Sequence, residues 1–203
     1  MMKVALINGS PKGNNGASGH IIKALCDRLS GMAECVVCEL AKQSVPDVVD
    51  AMRDSDALVF ASPLYVDSLP SGLVRFLDEN QNGIASAAAR AKVYAVLNNG
   101  FYDAKQNSIA LEMMEIFCEA SGLAWGRGLG IGGGGMIEVM PIDRFPLKKF
   151  GAALDILARN IRGNESAENY FVEPGIPRFL YVLTANFGMR REIKKRRAAS
   201  RRQ

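Results

Sequence analysis

The chain has 203 residues, of which 48% are hydrophobic and 23% are charged, and its mean hydropathy is close to zero (+0.02). This composition is typical of one globular domain with a full core, and it excludes an intrinsically disordered chain. No run of about 18 consecutive apolar residues occurs, so we predict no membrane-spanning helix.

Positive charge is concentrated at one end of the sequence. Residues 190–203 contain eight Lys or Arg and one acid, whereas the rest of the chain has 17 basic and 20 acidic residues. We therefore predict a domain of residues 1–189 followed by a basic tail of residues 190–203. Such a tail could bind nucleic acid or an anionic surface. It lacks interleaved aromatic residues, so a solvated helix extension is the favoured interpretation.

The first apolar stretch and the cysteines both favour a cytoplasmic protein. Residues 2–7 are apolar apart from Lys3, and the run stops at Asn8. It is too short for a signal-peptide core of roughly 7–15 residues. Cys35 and Cys38 have the spacing of metal ligands, yet no second pair exists and the chain has one histidine. We therefore predict no metal site and interpret the four cysteines as reduced, packed thiols.

Apolar runs alternate with helical periodicities along the chain, which predicts a doubly wound α/β domain with a five-stranded parallel sheet and helices on both faces. The predicted strands are residues 3–8, 35–40, 57–61, 93–97 and 123–131. Helices are predicted after the first strand, over residues 46–53, from 68 to about 82, from 108 to 122 and over 147–161. Residues 163–175 are predicted to form a loop, and Pro177 to open a last helix.

One predicted helix carries apolar residues on a recognisable side. In the helix that begins at Ser108, Ile109, Met113, Ile116 and Ala120 recur at helical spacing.

The loop after the first predicted strand is rich in hydrogen-bond donors. Its glycines let successive backbone N–H groups converge, and the following helix adds partial positive charge at its N-terminus. Ser10 and Ser18 contribute hydroxyl groups and Lys12 a full charge, so the loop predicts a site for a phosphate monoester. It matches neither a Walker A loop nor a GxGxxG turn. A loose turn without a ligand is the weaker alternative.

Two further loops are predicted at the same sheet edge, where parallel α/β sheets bind their ligands. Residues 62–70 contain two prolines and Tyr65, a combination that suits a planar heteroaromatic ring with polar edges. In residues 98–103, Asn99 and the N–H of Gly100 could contact a pyrimidine-like edge. Ordinary loop packing of Tyr65 and an ordinary turn at Asn99 are the alternatives.

The motifs at residues 4–18 and 61–78 resemble those of the NAD(P)H-dependent FMN reductases, a flavodoxin-like family, and the resemblance covers roughly residues 1–135. It implies a flavodoxin-like fold and bound FMN. The residues implied to bind the FMN phosphate, together with the backbone of their loop, are Ser10, Lys12, Asn15, Gly16, Ala17 and Ser18. Those implied to line the flavin ring are Ser62, Pro63, Leu64, Tyr65, Asn99, Gly100 and Phe101. Ala17 departs from the family, in which Asn is common there, and the loop is one residue longer around Asn14.

The resemblance also implies an enzyme that passes electrons from NADH or NADPH through FMN to a quinone or another small acceptor. The alternative is a flavodoxin-type electron carrier or flavin-binding regulator without its own turnover. Such carriers are typically acidic and the body of this chain is only weakly so, which favours the enzyme. Because the flavin supplies the chemistry, we predict no catalytic side chain.

Two further expectations concern assembly and the glycine run. Members of the resembled family are often dimers, so we expect a homodimer. Gly132–Gly135 could let nicotinamide or substrate approach the flavin closely, could act as a mobile flap, or could be a loop with no direct role.

Overall fold

A six-stranded parallel sheet, in the order β2-β1-β3-β4-β5-β6, forms the centre of the molecule. The computed structural model describes residues 1–183, so the predicted basic tail (190–203) and the end of the last predicted helix lie outside the described residues. The strands are β1 (Met2–Asn8), β2 (Ala33–Glu39), β3 (Ala57–Pro63), β4 (Lys92–Asn98), β5 (Ala124–Ile131) and β6 (Tyr170–Val172).

Helices cover both faces of this sheet, as predicted. They are α1 (Ala17–Leu29), α2 (Val45–Met52), α3 (Ser71–Glu79), α4 (Gln81–Ala87), α5 (Ser108–Ala120) and α6 (Lys148–Arg162). Helices α1 and α6 enclose one hydrophobic core, and α2 to α5 enclose the other. The strands β1, β3 and β4 are buried on both sides, which explains why they are nearly continuous apolar runs. The last predicted helix begins after Pro177, and residues 178–183 are helical.

The prediction of five strands was wrong, because a sixth strand lies within the segment predicted to be a loop. Strand β6 pairs in parallel with residues 129–131 of β5. It is only three residues long, which is too short to produce a two-residue hydrophobic alternation. The sequence therefore contains no periodic signal for it.

The single helix predicted from residue 68 to about 82 is two helices. Pro70 occupies the N-cap position of α3 and Asn80 the C-cap position. The side-chain amide of Asn80 donates to the carbonyl of Phe76 at 2.9 Å. Gly83, expected near the end of the helix, lies inside α4.

Helix α5 begins at Ser108, as predicted, but its buried side differs from the apolar side chosen from the sequence. Ile109 and Ile116 on that side are 59% and 56% exposed. The residues that α5 buries against the sheet are Ala110, Leu111, Met114 and Cys118. Both sides of this helix are apolar, so periodicity alone does not choose between them.

A buried tyrosine joins β4 to the end of α6. The hydroxyl oxygen of Tyr94 lies 3.0 Å from the carbonyl oxygens of Asn160 and Glu165, so its hydrogen can be donated to either. Burial, with a smaller contribution from the charge of Glu165, raises the pKa of Tyr94 to about 12. The phenol therefore stays protonated and remains a donor at neutral pH.

Within residues 1–183, no helix has the length and apolar character needed to cross a membrane. In the same part of the chain, no group of three His, Cys, Asp or Glu side chains is placed to hold a metal ion. Cys35 and Cys38 lie on opposite faces of β2, because residues three apart in a strand point to opposite sides.

Candidate functional site

The loops that follow β1, β3 and β4 meet at the carboxyl edge of the sheet, and Asn98 connects them. Its side-chain amide donates to the hydroxyl oxygen of Ser18 and to the carbonyl of Ser62, both at 3.1 Å. The N–H of Leu64 donates to the carbonyl of Asn98 at 2.7 Å. Because Asn98 is buried at the last position of β4, this arrangement is an integral part of the fold.

Asn8, buried at the last position of β1, shapes the first loop. Its side-chain oxygen accepts from the N–H of Ser10 at 3.0 Å, and its amide donates to Asn14 Oδ1 at 2.9 Å. The hydroxyl of Ser10 in turn accepts from the N–H of Lys12 at 3.2 Å. The loop is therefore held in one conformation by its own side chains.

Glu39, at the end of β2, anchors the other side of this loop. Its carboxylate accepts from the N–H of Asn14 at 2.8 Å and forms an ion pair with Lys42 at 3.0 Å. The hydrogen bond from Lys42, followed by that from the Asn14 N–H, lowers the pKa of Glu39 below its ordinary value. The carboxylate is thus kept charged and holds the loop from the β2 side.

The loop leads directly into the N-terminus of α1. Gly16 is the N-cap residue, and Ala17 and Ser18 are buried in the first turn. The N–H groups of Ala17 and Ser18 have no acceptor among residues 1–183, so they can donate to an anion. A Cβ atom on Gly19 would overlap the backbone of Asn14. This glycine therefore allows the loop to pack directly against the helix.

Lys12 and Asn15 occupy the solvent side of the same loop. The Lys12 ammonium lies 3.1 Å from Glu138 Oε1, and the two side chains are 60% and 35% exposed. Glu138 belongs to a 3-10 turn, Gly134–Glu138, that follows β5. The Lys12–Glu138 ion pair thus spans the sheet edge from the β1 loop to the β5 loop. Asn15 is exposed.

Solvent exposure increases from Ser62 to Tyr65 along the segment that leads from β3 into the next loop. Ser62 is buried, Pro63 and Leu64 are half-buried, and Tyr65 is exposed. Backbone hydrogen bonds between Tyr65 and Ser68, at 2.8 and 3.1 Å, close a tight turn. Val66 and Asp67 both have positive φ, 49° and 58°, and Val66 is 98% exposed. A β-branched residue in this region of backbone space is strained.

In the loop after β4, the Asn99 side chain forms its hydrogen bonds with other residues of the same loop. Its amide donates to the carbonyl of Asp103 at 3.0 Å, and its oxygen accepts from the N–H of Phe101 at 2.8 Å. The N–H of Gly100, by contrast, has no acceptor among residues 1–183. A Cβ atom on Gly100 would meet nothing within 4 Å. Gly100 therefore borders open space, and the ring of Phe101 beside it is exposed.

Three of the four glycines in the run at 132–135 provide close packing between loops. A Cβ atom on Gly132 would overlap the carbonyl of Tyr102, and one on Gly134 would lie 2.6 Å from Asn98 Oδ1. Gly133 has φ +69° and faces the ring of Pro174. Only Gly135 borders open space. The run thus fixes the β5 loop against the β4 loop.

The structure brings together the loops that contain all the predicted site residues and adds three residues that sequence reasoning missed. These are Asn8, Asn98 and Gly19. A polar residue that ends an otherwise apolar, fully buried strand is a signal that could have identified both asparagines. Gly19 has a weaker signal, since it is a glycine in the first turns of a helix that the sequence otherwise supports.

A family model described as NADPH-dependent FMN reductase matches residues 2–128. The chain belongs to this family. The matched residues of this FMN reductase family member include the loops after β1, β3 and β4. Glu138, α6 and β6 lie beyond the match.

Solved structures share the fold of this FMN reductase family member at low sequence identity. An NADH:FMN oxidoreductase in its apo form has 17% identity and a TM-score of 0.63, with coverage of 83% of this chain and 92% of that chain. The Trp repressor binding protein from Bacillus subtilis has 15% identity and a TM-score of 0.60, with coverage of 76% and 96%. An FMN-dependent NADH-azoreductase from Bacillus anthracis in complex with FMN has 14% identity and a TM-score of 0.54, with coverage of 80% and 100%. A comparison with curated protein sequences finds no match.

Proposed function

We propose that this protein is an FMN-dependent oxidoreductase that passes electrons from NADH or NADPH to a quinone or another small acceptor. The family match over residues 2–128 is the observation that carries the proposal. The geometry at the carboxyl edge of the sheet supports it, because the loops there fit the two chemically different parts of FMN.

The phosphate of FMN fits the loop at residues 10–18. The first-turn amides of α1 are donors of the kind that bind phosphates, and Lys12 adds positive charge at the rim. The hydroxyl oxygen of Ser18 already accepts a hydrogen bond from Asn98, so its own hydrogen remains to be donated to a phosphate oxygen. With Ala17 in place of the asparagine common in relatives, position 17 has only its backbone N–H to donate.

We infer that the isoalloxazine ring lies between the loops after β3 and β4. Tyr65 and Phe101 offer exposed aromatic surfaces on the two loops, and aromatic faces favour contact with planar rings. The N–H of Gly100 is a donor for a polar ring edge. When bound, FMN supplies hydride acceptance and the transfer of one or two electrons. The protein needs only to bind the ring, orient it and leave one face accessible.

The decisive experiment is the visible absorption spectrum of the purified protein with FMN, followed anaerobically by NADH or NADPH. We expect the flavin to bind, to bleach within seconds and to recover on addition of a quinone. Tight binding without bleaching by either nucleotide would instead support an electron carrier or regulator. Absence of FMN binding would overturn the proposal.

Matched serine variants test the phosphate assignment. Ser18→Ala is expected to weaken FMN binding about tenfold or more, because a hydrogen bond to a charged group contributes roughly 1.5–3 kcal/mol. Its affinity for riboflavin, which has no phosphate, should change much less. Ser86→Ala, at an exposed position of α4, is the control and should bind both flavins normally.

The proposal includes a homodimer in the cytoplasm. An open groove of about 300 Å³ runs between α3 and α5, and its lining includes Val74, Met113, Ile116 and Phe117. Apolar side chains of this kind in a groove suit a subunit contact. Light scattering after size exclusion chromatography tests whether the protein is a dimer, and Ile116→Glu should shift a dimer to monomer.

The proposed location in the cytoplasm is supported by the cysteines. The four free thiols of the chain fit a reducing compartment.

A further inference from the structure

A segment beyond the family match lies across two loops of the candidate site. The N–H of Gly132 donates to the carbonyl of Val172 at 3.0 Å. The hydroxyl of Tyr102 donates to the carbonyl of Ile176 at 2.9 Å. Residues 172–181 therefore contact both the β4 loop and the β5 loop.

Tyr181 makes the most direct of these contacts. Its hydroxyl donates to the carbonyl oxygen of Gly100 at 2.7 Å. Its ring lies 5.7 Å from that of Tyr102, tilted by 59°, and the residue is only 9% exposed. Burial raises the pKa of the Tyr181 phenol above its ordinary value, so the group is protonated and able to donate at neutral pH.

This contact completes a set of hydrogen bonds that holds both peptide groups flanking Gly100. On the amino side, the carbonyl of Asn99 accepts from the N–H of Gly134 at 2.7 Å. On the carboxyl side, the Gly100 carbonyl accepts from Tyr181, and the N–H of Phe101 donates to Asn99 Oδ1. Glycine has no side chain to limit its backbone rotation. The bond from Gly134 orients the peptide group that contains the Gly100 N–H, and the bond from Tyr181 fixes the following peptide group, so the backbone rotation of Gly100 is limited on both sides.

We propose that Tyr181 is a positioning residue for the flavin ring. It holds the Gly100 carbonyl and so fixes the backbone of the loop that presents the Gly100 N–H, which has no acceptor among residues 1–183. This inference rests on the proposed function. According to this inference, part of the control over the midpoint potential of the flavin comes from a segment outside the family match. A fixed N–H donor at a ring edge stabilises the negative charge that the flavin gains on reduction, so the contact also makes the flavin easier to reduce.

The test compares Tyr181→Phe with Tyr102→Phe in the full-length protein. Each variant loses one hydroxyl from the same pair of contacting rings, but only Tyr181 donates to Gly100. We expect Tyr181→Phe to weaken FMN and riboflavin binding by the same factor, roughly 3- to 10-fold, and to make the midpoint potential of the bound flavin more negative. Tyr102→Phe should leave the potential unchanged. Thermal unfolding of both variants reports any general loss of stability.

The outcomes separate this inference from the function on which it rests. If the wild-type protein binds no FMN, both fail. If the wild-type protein binds and reduces FMN, but Tyr181→Phe has the wild-type potential and affinity, only the role of Tyr181 is refuted. An equal shift of the potential in both variants would also refute it, because the effect would then come from general loosening of the segment.

Discussion

The ammonium of Lys12 and the carboxylate of Glu138, 126 residues apart in sequence, lie 3.1 Å from each other at the rim of the candidate phosphate site. Exposed ion pairs of this kind contribute about 0–1 kcal/mol to stability. A phosphate bound in this site and Glu138 would compete for the same cation.

We predict that Glu138→Gln tightens FMN binding by about 2- to 5-fold, the change expected when a weak competing ion pair is removed. Riboflavin binding should not change, and the gain should diminish as salt is added. Titrations followed by flavin fluorescence at two ionic strengths measure both effects. Glu34→Gln removes the same charge at an exposed position near the amino end of β2 and is the control. Weaker FMN binding by Glu138→Gln would show that the ion pair positions Lys12.

Gly19→Ala should destabilise the protein and weaken FMN binding, because its methyl group would displace the backbone of Asn14 from α1. The matched control is Gly72→Ala in α3, where a Cβ atom would meet nothing within 4 Å. That variant should gain roughly 0.5–1 kcal/mol, since glycine is a poor helix residue. Chemical denaturation gives both values. Equal stability of the two variants would contradict the close packing at Gly19.

The raised pKa of Tyr94 predicts that the protein loses stability at alkaline pH. Its pKa is raised from 10.0 to about 12 in the folded protein, so folding favours the neutral phenol. The corresponding stability is fully present below pH 10 and is lost as the pH rises towards 12. Denaturant unfolding measured across this range should therefore show a falling free energy of unfolding.

Tyr94→Phe isolates this effect. It should cost about 1–3 kcal/mol at neutral pH, because buried carbonyl groups lose their donor, and it should flatten the alkaline decline. Tyr181, whose pKa is also raised by burial, would account for part of the decline that remains. Tyr170→Phe, at an exposed position, should behave like the wild-type protein. A decline of wild-type size in Tyr94→Phe would contradict the assignment.

Among the four cysteines, Cys35 should react first with iodoacetamide near neutral pH. A hydrogen bond with Cys26 lowers the pKa of Cys35, while the same interaction raises that of Cys26. Burial raises the pKa of Cys38, and raises that of Cys118 to about 12. Because the thiolate is the reactive form, mass spectrometry of partially alkylated protein should find the label at Cys35. Cys26→Ala should slow the reaction, whereas Cys118→Ala should not.

The elements that could be predicted from the sequence are those with a continuous apolar run or a long helical periodicity. The strands β1, β3 and β4 are buried on both faces, so their apolar runs predicted buried strands of a parallel sheet. The start of helix α5 at Ser108 was located correctly. Its buried side could not be chosen from the sequence, because Leu111 and Met114 are as apolar as Ile109 and Ile116. The division of α3 from α4 falls at Asn80, where neither glycine nor proline marks a break in the sequence.

The candidate site shows a similar division. Its loops could be located because glycine, serine and asparagine are concentrated at the ends of apolar strands. The contacts of the residues in these loops could not be predicted, because Lys12 meets Glu138 and Gly100 meets Tyr181 only after the chain has folded. These contacts join segments separated by 126 and 81 residues. Local sequence patterns contain no information at such separations.

Strand β6 is short. Together, β6 and the residues just before it cover the outer side of β5. The N–H of Ala167 donates to the carbonyl of Gly126, Asn169 Oδ1 accepts from the N–H of Gly128, and β6 pairs with residues 129–131. An uncovered outermost strand would offer these backbone groups to a neighbouring molecule. Residues 167–172 therefore satisfy these groups within the molecule, which removes β5 as a template for intermolecular strand pairing.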